Sequence, residues 1–448
     1  MQKTKERIQL SDHFTFGKLF RFVLPSIVTM VFTSIYGVVD GICVSTFAGE
    51  IPFAGLNLIT PFIMVFGGIG FMLGTGGNAI VAKTLGEGDR EKANELFSMM
   101  IKATLIVGAA FTLLGELCLS AVVNMFDTTA EVKYYALLYG RVCLGGITFF
   151  MLQNMFQGFL VTAEKPKLGL VFTLIAGFSN MILDVVFVAV FDWGVVGAAA
   201  ATVISQVVGG AGPLFYFLRK NNSLLRLTKS HFYPRVFFQA CANGSSELLS
   251  SISSSIVGTL YNVQLLKYLG EAGVVAYGVI MYVNFIFVAI FIGYSIGMAP
   301  LIGFNHGAQN HEEQKNLFKK SLIVIGCTSV VLLGLSQLLA SPLASIFIQN
   351  DPSLHELTCN AFRYYSIAFL FCGFSIFGSG FFTSLNNGLI SAIISFVRTL
   401  VFQLGAILIL PSLIGADGIW YAIVVAEIAS VLMTVIFWIT NRKKYHYA

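Results

Sequence analysis

Charge is what this sequence has least of. Asp, Glu, Lys and Arg make up 11% of its 448 residues, against 56% hydrophobic residues and a mean hydropathy of +0.81. A water-soluble globular chain carries roughly 25% charged residues, so that class is excluded. The bases are not gathered on one face, so the net charge of +5 is no nucleic-acid footprint. Cysteine is sparse too. Cys43, Cys118, Cys143, Cys241, Cys327, Cys359 and Cys372 are scattered without a CxxC pair, and read as small buried hydrophobes. The histidines show no HExxH spacing, and no GxxxxGK[ST] loop occurs, which excludes an ATP-driven motor encoded in this chain. No catalytic dyad or large soluble stretch supports an enzyme, and no cofactor is expected. The basic N-terminus leads into a long apolar run without a small-residue cleavage site, so it predicts a retained helix.

What is present is apolar length. Runs able to cross a hydrocarbon core of about 30 Å recur from end to end. They are continuously apolar, not alternating over roughly 10-residue units, which excludes a closed barrel. The fold class is an all-α polytopic membrane protein. Twelve spans are predicted, at 18–48, 52–82, 93–121, 131–160, 167–190, 195–218, 236–266, 273–304, 316–340, 354–384, 389–412 and 416–440.

The bases mark topology. Lys3, Lys5, Arg7, Lys18 and Arg21 precede the first span, Arg219 to Arg235 fill the central linker, and Arg442, Lys443 and Lys444 end the chain. By the positive-inside rule both termini and the linker are expected in the cytoplasm. The halves also repeat. "LGEGDREKANELF" pairs with "HGAQNHEEQKNLF", and "WGVVGAAAATVISQ" with "IGADGIWYAIVVAE", at one offset of 221 residues that lays Gly86 over Gly307 and Gly197 over Gly418. Six spans per half is even, so the repeat is parallel, about an axis along the membrane normal. The predicted organisation is a first six-helix lobe over 1–218, a linker over 219–235 and a second lobe over 236–448. Two such halves are a common transporter architecture.

Charged groups at mid-span cost at least ~2.5–3.5 kcal/mol each, so they call for a reason. They are Asp40, Arg141, Asp184, Glu247, Arg363, Arg398 and Glu427. Asn180 and Asp184 stand four apart in "FSNMILDVVFVAV", on one helical face. At the 221 offset Asp40 lies over Tyr261, Asn180 over Val401, Asp184 over Gly405 and Thr202 over Ile423. The scaffold is duplicated but this polar set is not, which points to a site in the first half. Two carboxylates with amide and hydroxyl oxygens suit Na⁺. Two carboxylates in one environment also disfavour double ionisation, which suits H⁺ carriage. An isolated structural bond for each Asp is the plainer alternative. Glu247 is either a second-half ion or substrate contact or a carboxylate near a helix start. Glu427, over Gln206, reads as a cation contact ahead of a structural bond. Tyr36 and Gln206 join them as candidate substrate or second-lobe contacts. Arg141, Arg363 and Arg398 are expected to snorkel or to bind backbone carbonyls. The glycines of "GGIGFMLGTGG" read as helix-packing surface.

The set "LPSIV…YGVVD", "GGNAIVAKTLGEGDREKANELF", "NGSSELLSS" and "IGMAPLIGFNHGAQN", spread over nearly the whole chain, resembles the multidrug and toxic compound extrusion (MATE) family, in its MepA-like bacterial branch. The resemblance implies a V-shaped pair of six-helix lobes and cation-coupled antiport of organic, cationic or amphiphilic drugs. It implies a first-lobe cation site, for Na⁺ or H⁺, of Asp40, Asn180, Asp184 and Thr202, with the carbonyl of Ala198 as a further ligand. It also implies a multi-pass protein of the bacterial cytoplasmic membrane, working as a monomer on small-molecule substrates. An acid expected on span ten is absent. The alternative is a flippase-like exporter of lipid-linked or cell-wall precursors, which would call for a strongly cationic cavity.

Overall fold

The computed structural model describes residues 8–348 and 351–448. Lys3, Lys5 and Arg7, part of the orientation signal, lie outside them. Among the described residues every regular element is helical. The first half comprises α1 (Phe16–Phe47), α2 (Glu50–Gly86), α3 (Arg90–Asn124), α4 (Ala130–Gly145), α5 (Ile147–Thr162), α6 (Pro166–Asp184) and α7 (Gly194–Leu218). The second comprises α8 (Pro234–Gly307), α9 (His311–Phe347), α10 (Pro352–Ser366), α11 (Phe369–Ser384), α12 (Gly388–Phe396), α13 (Leu404–Ile414) and α14 (Asp417–Tyr445). A π-helical segment, Val185–Val190, continues α6, and another, Val397–Gln403, joins α12 to α13.

These make twelve spans among the described residues. Nine helical runs are long and apolar enough to cross, and the bent pairs α4/α5 and α10/α11 add two. The 74-residue α8 supplies the twelfth. At 1.5 Å per residue a helix of that length would measure about 110 Å, over three times the hydrocarbon core. It is interrupted at Gly270, whose φ of 65° and ψ of −155° only glycine adopts readily. The spans predicted over 131–160 and 354–384 are not continuous. They bend by 58° after Gly145 and by 47° after Ser366, positions 221 apart. The break is therefore part of the repeat. So are the helix starts: Asp89 caps α3 by accepting from Lys92 N at 2.9 Å, and its counterpart Asn310 caps α9 by accepting from Glu313 N at 3.1 Å.

The halves meet at the end that carries the linker and the C-terminus. There α1 and α2 pack on the two arms of α8 with backbones almost touching. A Cβ on Gly76 would fall 1.9 Å from the carbonyl oxygen of Ala240, and one on Gly244 would fall 2.0 Å from that of Met72. Gly86 stands likewise against Phe304 O, and its repeat partner Gly307 against Lys83 O, each at 2.0 Å. Lys83 and Phe304 are themselves 221 apart, so the contact obeys the two-fold relation of the sequence. The glycine run expected to pack does so: Gly67, Gly70, Gly74 and Gly77 pack within the first half, while Gly68 and Gly76 face α8 across the contact between halves. Val23 and Gly297 extend it, and Leu10 and Phe14 are buried against the second-half core. Phe14 N donates to Glu313 Oε1 at 3.0 Å and Leu10 N to Glu164 Oε1 at 3.0 Å, so the N-terminal segment straps both halves. Toward the opposite end, Gly37 and Gly41 of α1 and Gly258 and Gly278 of α8 face no neighbour within 4 Å.

The linker lies on α3. Arg226 N donates to Asn94 Oδ1 and Thr228 N to Ser98 Oγ, both at 2.8 Å, while Arg90 Nε donates to Leu224 O at 3.2 Å.

The seal depends on absent side chains. Gly244→Leu should force α2 from α8, at the ~1–3 kcal/mol typical of overpacking. In that background a cysteine replacing Ala240, buried in the native protein, should become reactive to maleimide. Labelling as slow as in the native background would show that the glycine contact does not hold the seal.

Candidate functional site

Two helical faces build the site. On α1, Phe32, Tyr36 and Asp40 are four apart, one above another. On α6, Gly177, Asn180 and Asp184 share a face. A Cβ on Gly177 would fall 2.4 Å from Phe32 Cε1 and 2.9 Å from Tyr36 Cδ1, so the missing side chain lets α1 lie against α6. The rings of Phe32 and Phe178 pack at 5.2 Å beside that contact. Two turns further along, the same faces bring the carboxyl groups of Asp40 and Asp184 together within hydrogen-bonding reach.

No N–H or O–H of the chain satisfies them. Asp184 and Asn180 are each 1% exposed. Both carboxyl oxygens of Asp184, Oδ1 of Asp40, Nδ2 of Asn180 and Oγ1 of Thr202 are buried without a protein hydrogen bond. Buried polar groups are paired in the great majority of native structures, so these unpartnered atoms on α1, α6 and α7 make the carboxyl pair a candidate site for something besides the chain. A proton or a cation between two carboxyls is what this geometry accommodates. Two carboxylates with the Thr202 hydroxyl supply hard oxygen of the kind Na⁺ takes, and Asn180 would join them through its amide oxygen, not through the unpartnered Nδ2. Among the described residues no group of three His, Cys, Asp or Glu is placed to hold a metal ion.

The remaining walls come from α7 and α4. Ala198, Thr202 and Gln206 follow at helical spacing on α7, with Ala198 fully buried and Oε1 of Gln206 also unpartnered. Gly197, next to Ala198, packs on Phe187 of the π segment that follows Asp184. Single π turns inside helices recur at functional sites. Tyr36 contacts Gln153 of α5 and stands near Asp40. Sequence reasoning missed Tyr139 and Cys143 of α4, both buried and near Asp40. Their four-residue spacing was visible, but neither is charged and neither stood out among apolar neighbours.

The second half is built differently. Glu427, whose side chain is 1% exposed, is not open to a free cation. Arg398 Nε donates to its Oε1 at 2.9 Å and Oε2 at 3.0 Å, Arg398 Nη2 to Oε1 at 2.8 Å, and Gln403 Nε2 to Oε1 at 3.3 Å. This corrects the reading of Glu427 as a cation contact, and that of Arg398 as a snorkelling or carbonyl-bound base. Arg398 and Gln403 are five apart. An α-helix would point them in different directions, whereas the π segment over Val397–Gln403 returns every fifth residue to one side. Tyr261, the counterpart of Asp40, stands near this pair with its hydroxyl unpartnered and its ring stacked on Tyr277 at 5.2 Å. Glu247 is half-buried one turn past the Gly244 crossing, on the helix that faces α2, away from both clusters. Arg141 and Arg363 are exposed on the bundle surface.

Comparison with known proteins agrees with the duplicated build. The MatE family model matches residues 25–186 and again 248–407, and the two matches end 221 residues apart. The multidrug export protein MepA of Staphylococcus saprophyticus is 23% identical over 431 residues, covering 95% of this chain and 94% of its own length. That of Staphylococcus aureus is 21% identical over 415 residues, covering 92% and 91%. Among solved structures, an outward-facing multidrug resistance MATE family transporter superposes with a TM-score of 0.92 at 22% identity, over 100% of each chain. A MOP superfamily transporter from Pyrococcus furiosus gives 0.89 at 23% identity, over 99% of each.

Breaking a buried ion pair on one side leaves an uncompensated charge, at about 3–5 kcal/mol. Arg398→Gln should therefore lower the thermal midpoint in detergent sharply, and the double variant Arg398→Gln/Glu427→Gln should recover most of the loss. Equal midpoints for the single and double variants would mean that Glu427 does not depend on the guanidinium.

Proposed function

Because the chain belongs to the MatE family, we propose that it exports organic, cationic or amphiphilic drugs in exchange for an inward-moving Na⁺ or H⁺. Residues 1–218 and 236–448 act as the two lobes of an alternating-access cycle, with 219–235 as their cytoplasmic connection. The protein works as a monomer in the bacterial cell membrane, with both termini inside, and needs no cofactor beyond the coupling ion. The homologous MepA proteins, named as multidrug exporters, support the substrate class.

The observation that carries the coupling is the unpartnered pair of carboxyls, Asp40 and Asp184. With the ion bound, Asp40, Asn180, Asp184 and Thr202 converge on one positive charge and draw α1 toward α6, with the carbonyl of Ala198 close by. Without it, two carboxylates repel at close range in a low dielectric, and α1 is the helix free to move. In its outer part Gly37 and Gly41 face no neighbour within 4 Å. Movement of α1 changes the wall against which a drug rests. Since α1 also reaches the seal at Val23, it can pass the state of the site to the contact that separates the lobes from one compartment. The acidic character of this site also speaks against a flippase for anionic precursors.

Transport into proteoliposomes loaded with a fluorescent organic cation, under imposed Na⁺ and pH gradients, tests the reading. One gradient should drive transport by the native protein. Asp40→Asn and Asp184→Asn should each abolish the driven component, by at least ~10-fold, while the purified variants keep native elution in detergent. Thr202→Val, which removes one neutral oxygen, should raise the ion concentration needed for half-maximal rate and leave the maximum closer to native. Native coupling in either Asp variant would remove that residue from the mechanism.

A further inference from the structure

The faces that build the carboxyl site run on past it toward the end that carries the linker. On α6, Gly169 and Thr173 continue the line of Gly177, Asn180 and Asp184 at helical spacing, and on α7 Gly209 and Pro213 continue that of Thr202 and Gln206. On α1, Ser26 and Thr29 lie on the face of Tyr36 and Asp40. Thr29, Thr173 and Pro213 stand eleven residues from Asp40, Asp184 and Thr202 respectively, so three helices reach one level about 16 Å away. There, with Gln153 and Gln157 of α5, they enclose a cavity of about 20 Å³, room for one water. Pro166, the first residue of α6, also lines it, so it extends to the linker end. Its oxygens are spare. Ser26, 6% exposed, has an unpartnered Oγ, and Oε1 of Gln157 is unpartnered too. Pro213 has no N–H to offer the carbonyl of Gly209 one turn back. Two amides lead on to the carboxyls: Gln206, whose Oε1 is unpartnered, and Gln153, whose Cδ would lie 2.8 Å from a Cβ on Gly209 and which contacts Tyr36.

We propose that this cavity is a second ion stop, built of neutral oxygens, through which the coupling ion passes between the carboxyl pair and the linker-end face. The inference rests on the ion-coupled function proposed above and adds the path. Its ligand is a monovalent cation, Na⁺ or hydrated H⁺, which hydroxyl, amide and carbonyl oxygens can take without a carboxylate. Neutral ligands suit a stop, because a permeating ion needs sites favourable enough to enter and weak enough to leave. A carboxylate at this level would trap it. Proline in a helix leaves packing voids of its own, but such a void needs no polar column running from it to Asp40. At the 221 offset Gln153 lies over Phe374, Gln157 over Gly378 and Thr173 over Ile394, so these polar groups, like the carboxyl pair, belong to the first half. An ion leaving through the inside of one half does not cross the contact between halves. Ion and drug then move in opposite directions by separate paths.

The double variant Gln157→Met/Thr173→Val keeps the shape of the cavity wall and removes two of its oxygen-bearing groups. In proteoliposomes it should lower ion-driven transport at least ~10-fold, the cost of taking a hydrogen-bond partner from a charged group. The loss should appear under a Na⁺ gradient if Na⁺ is the coupling ion, and under a pH gradient if H⁺ is. In detergent the weakening of drug affinity by the ion should stay native, because the carboxyl pair is untouched. A cysteine replacing Thr173 gives a readout that needs no transport. It should be modified by the small cation aminoethyl methanethiosulfonate, read as peptide mass, while one replacing Val188, also buried but beyond Asp184, should not. Native driven rates in the double variant, with Asp40→Asn uncoupled, would overturn the route and leave the coupling site standing. An altered ion dependence of drug affinity would put Gln157 and Thr173 in the carboxyl site itself, and would overturn it too. So would equal inertness of the two cysteines.

Discussion

Two carboxyl groups placed face to face inside the first half, with no donor from the chain to satisfy them, are the constraint around which the rest is arranged. Asp40 and Asp184 are held on α1 and α6, and the helices approach closely because Gly177 has no side chain to keep Phe32 and Tyr36 away. A permanent partner would have fixed the distance between the helices. Its absence leaves the two carboxyls unanswered by the chain, and the proposed coupling to an inward-moving ion relies on that. The glycine crossings at the other end of α1 and α2 bring backbones into contact, where a small helix displacement has no soft side chains to absorb it.

The second half shows the opposite solution on the same scaffold. There a buried glutamate is also held among transmembrane helices, but its cation is part of the chain. Arg398 and Gln403 are turned together onto Glu427 by a π segment, and the pair leaves no oxygen waiting for an ion. Tyr261, neutral, stands where the first half has Asp40. A duplicated fold thus carries unpartnered carboxyls in one half and a chain-paired glutamate in the other. Under the proposed mechanism the first half would respond to an ion gradient and the second would not.

Much of this was legible in the sequence because a membrane makes errors expensive. Asp40 and Asp184 stand out since a carboxylate in a span is rare, and the 221 offset singles them out further. The twelve spans, the repeat and the packing role of Gly67 to Gly77 follow from the same apolar background. What was not legible depends on inter-helix geometry. Glu427 and Arg398 are 29 residues apart and carry no local sign of pairing, and the pairing needs a π segment that periodicity does not reveal. The bends after Gly145 and Ser366 fall inside runs whose hydropathy is unbroken. Tyr139 and Cys143 border the carboxyl pair without a charge to mark them. Gly244 and Gly307 look like ordinary glycines until Met72 and Lys83 carbonyls are placed against them.

The most direct test of an exchangeable charge between Asp40 and Asp184 is the equilibrium affinity of the detergent-solubilised protein for a fluorescent organic cation, titrated against Na⁺ and against pH. If ion and drug act on one helix, each must weaken the other by the same factor, and a coupling of ~1–3 kcal/mol corresponds to about 5–150-fold. The account predicts that drug affinity falls by a factor in that range as one of the two ions saturates. Affinity that is flat across both titrations would contradict it.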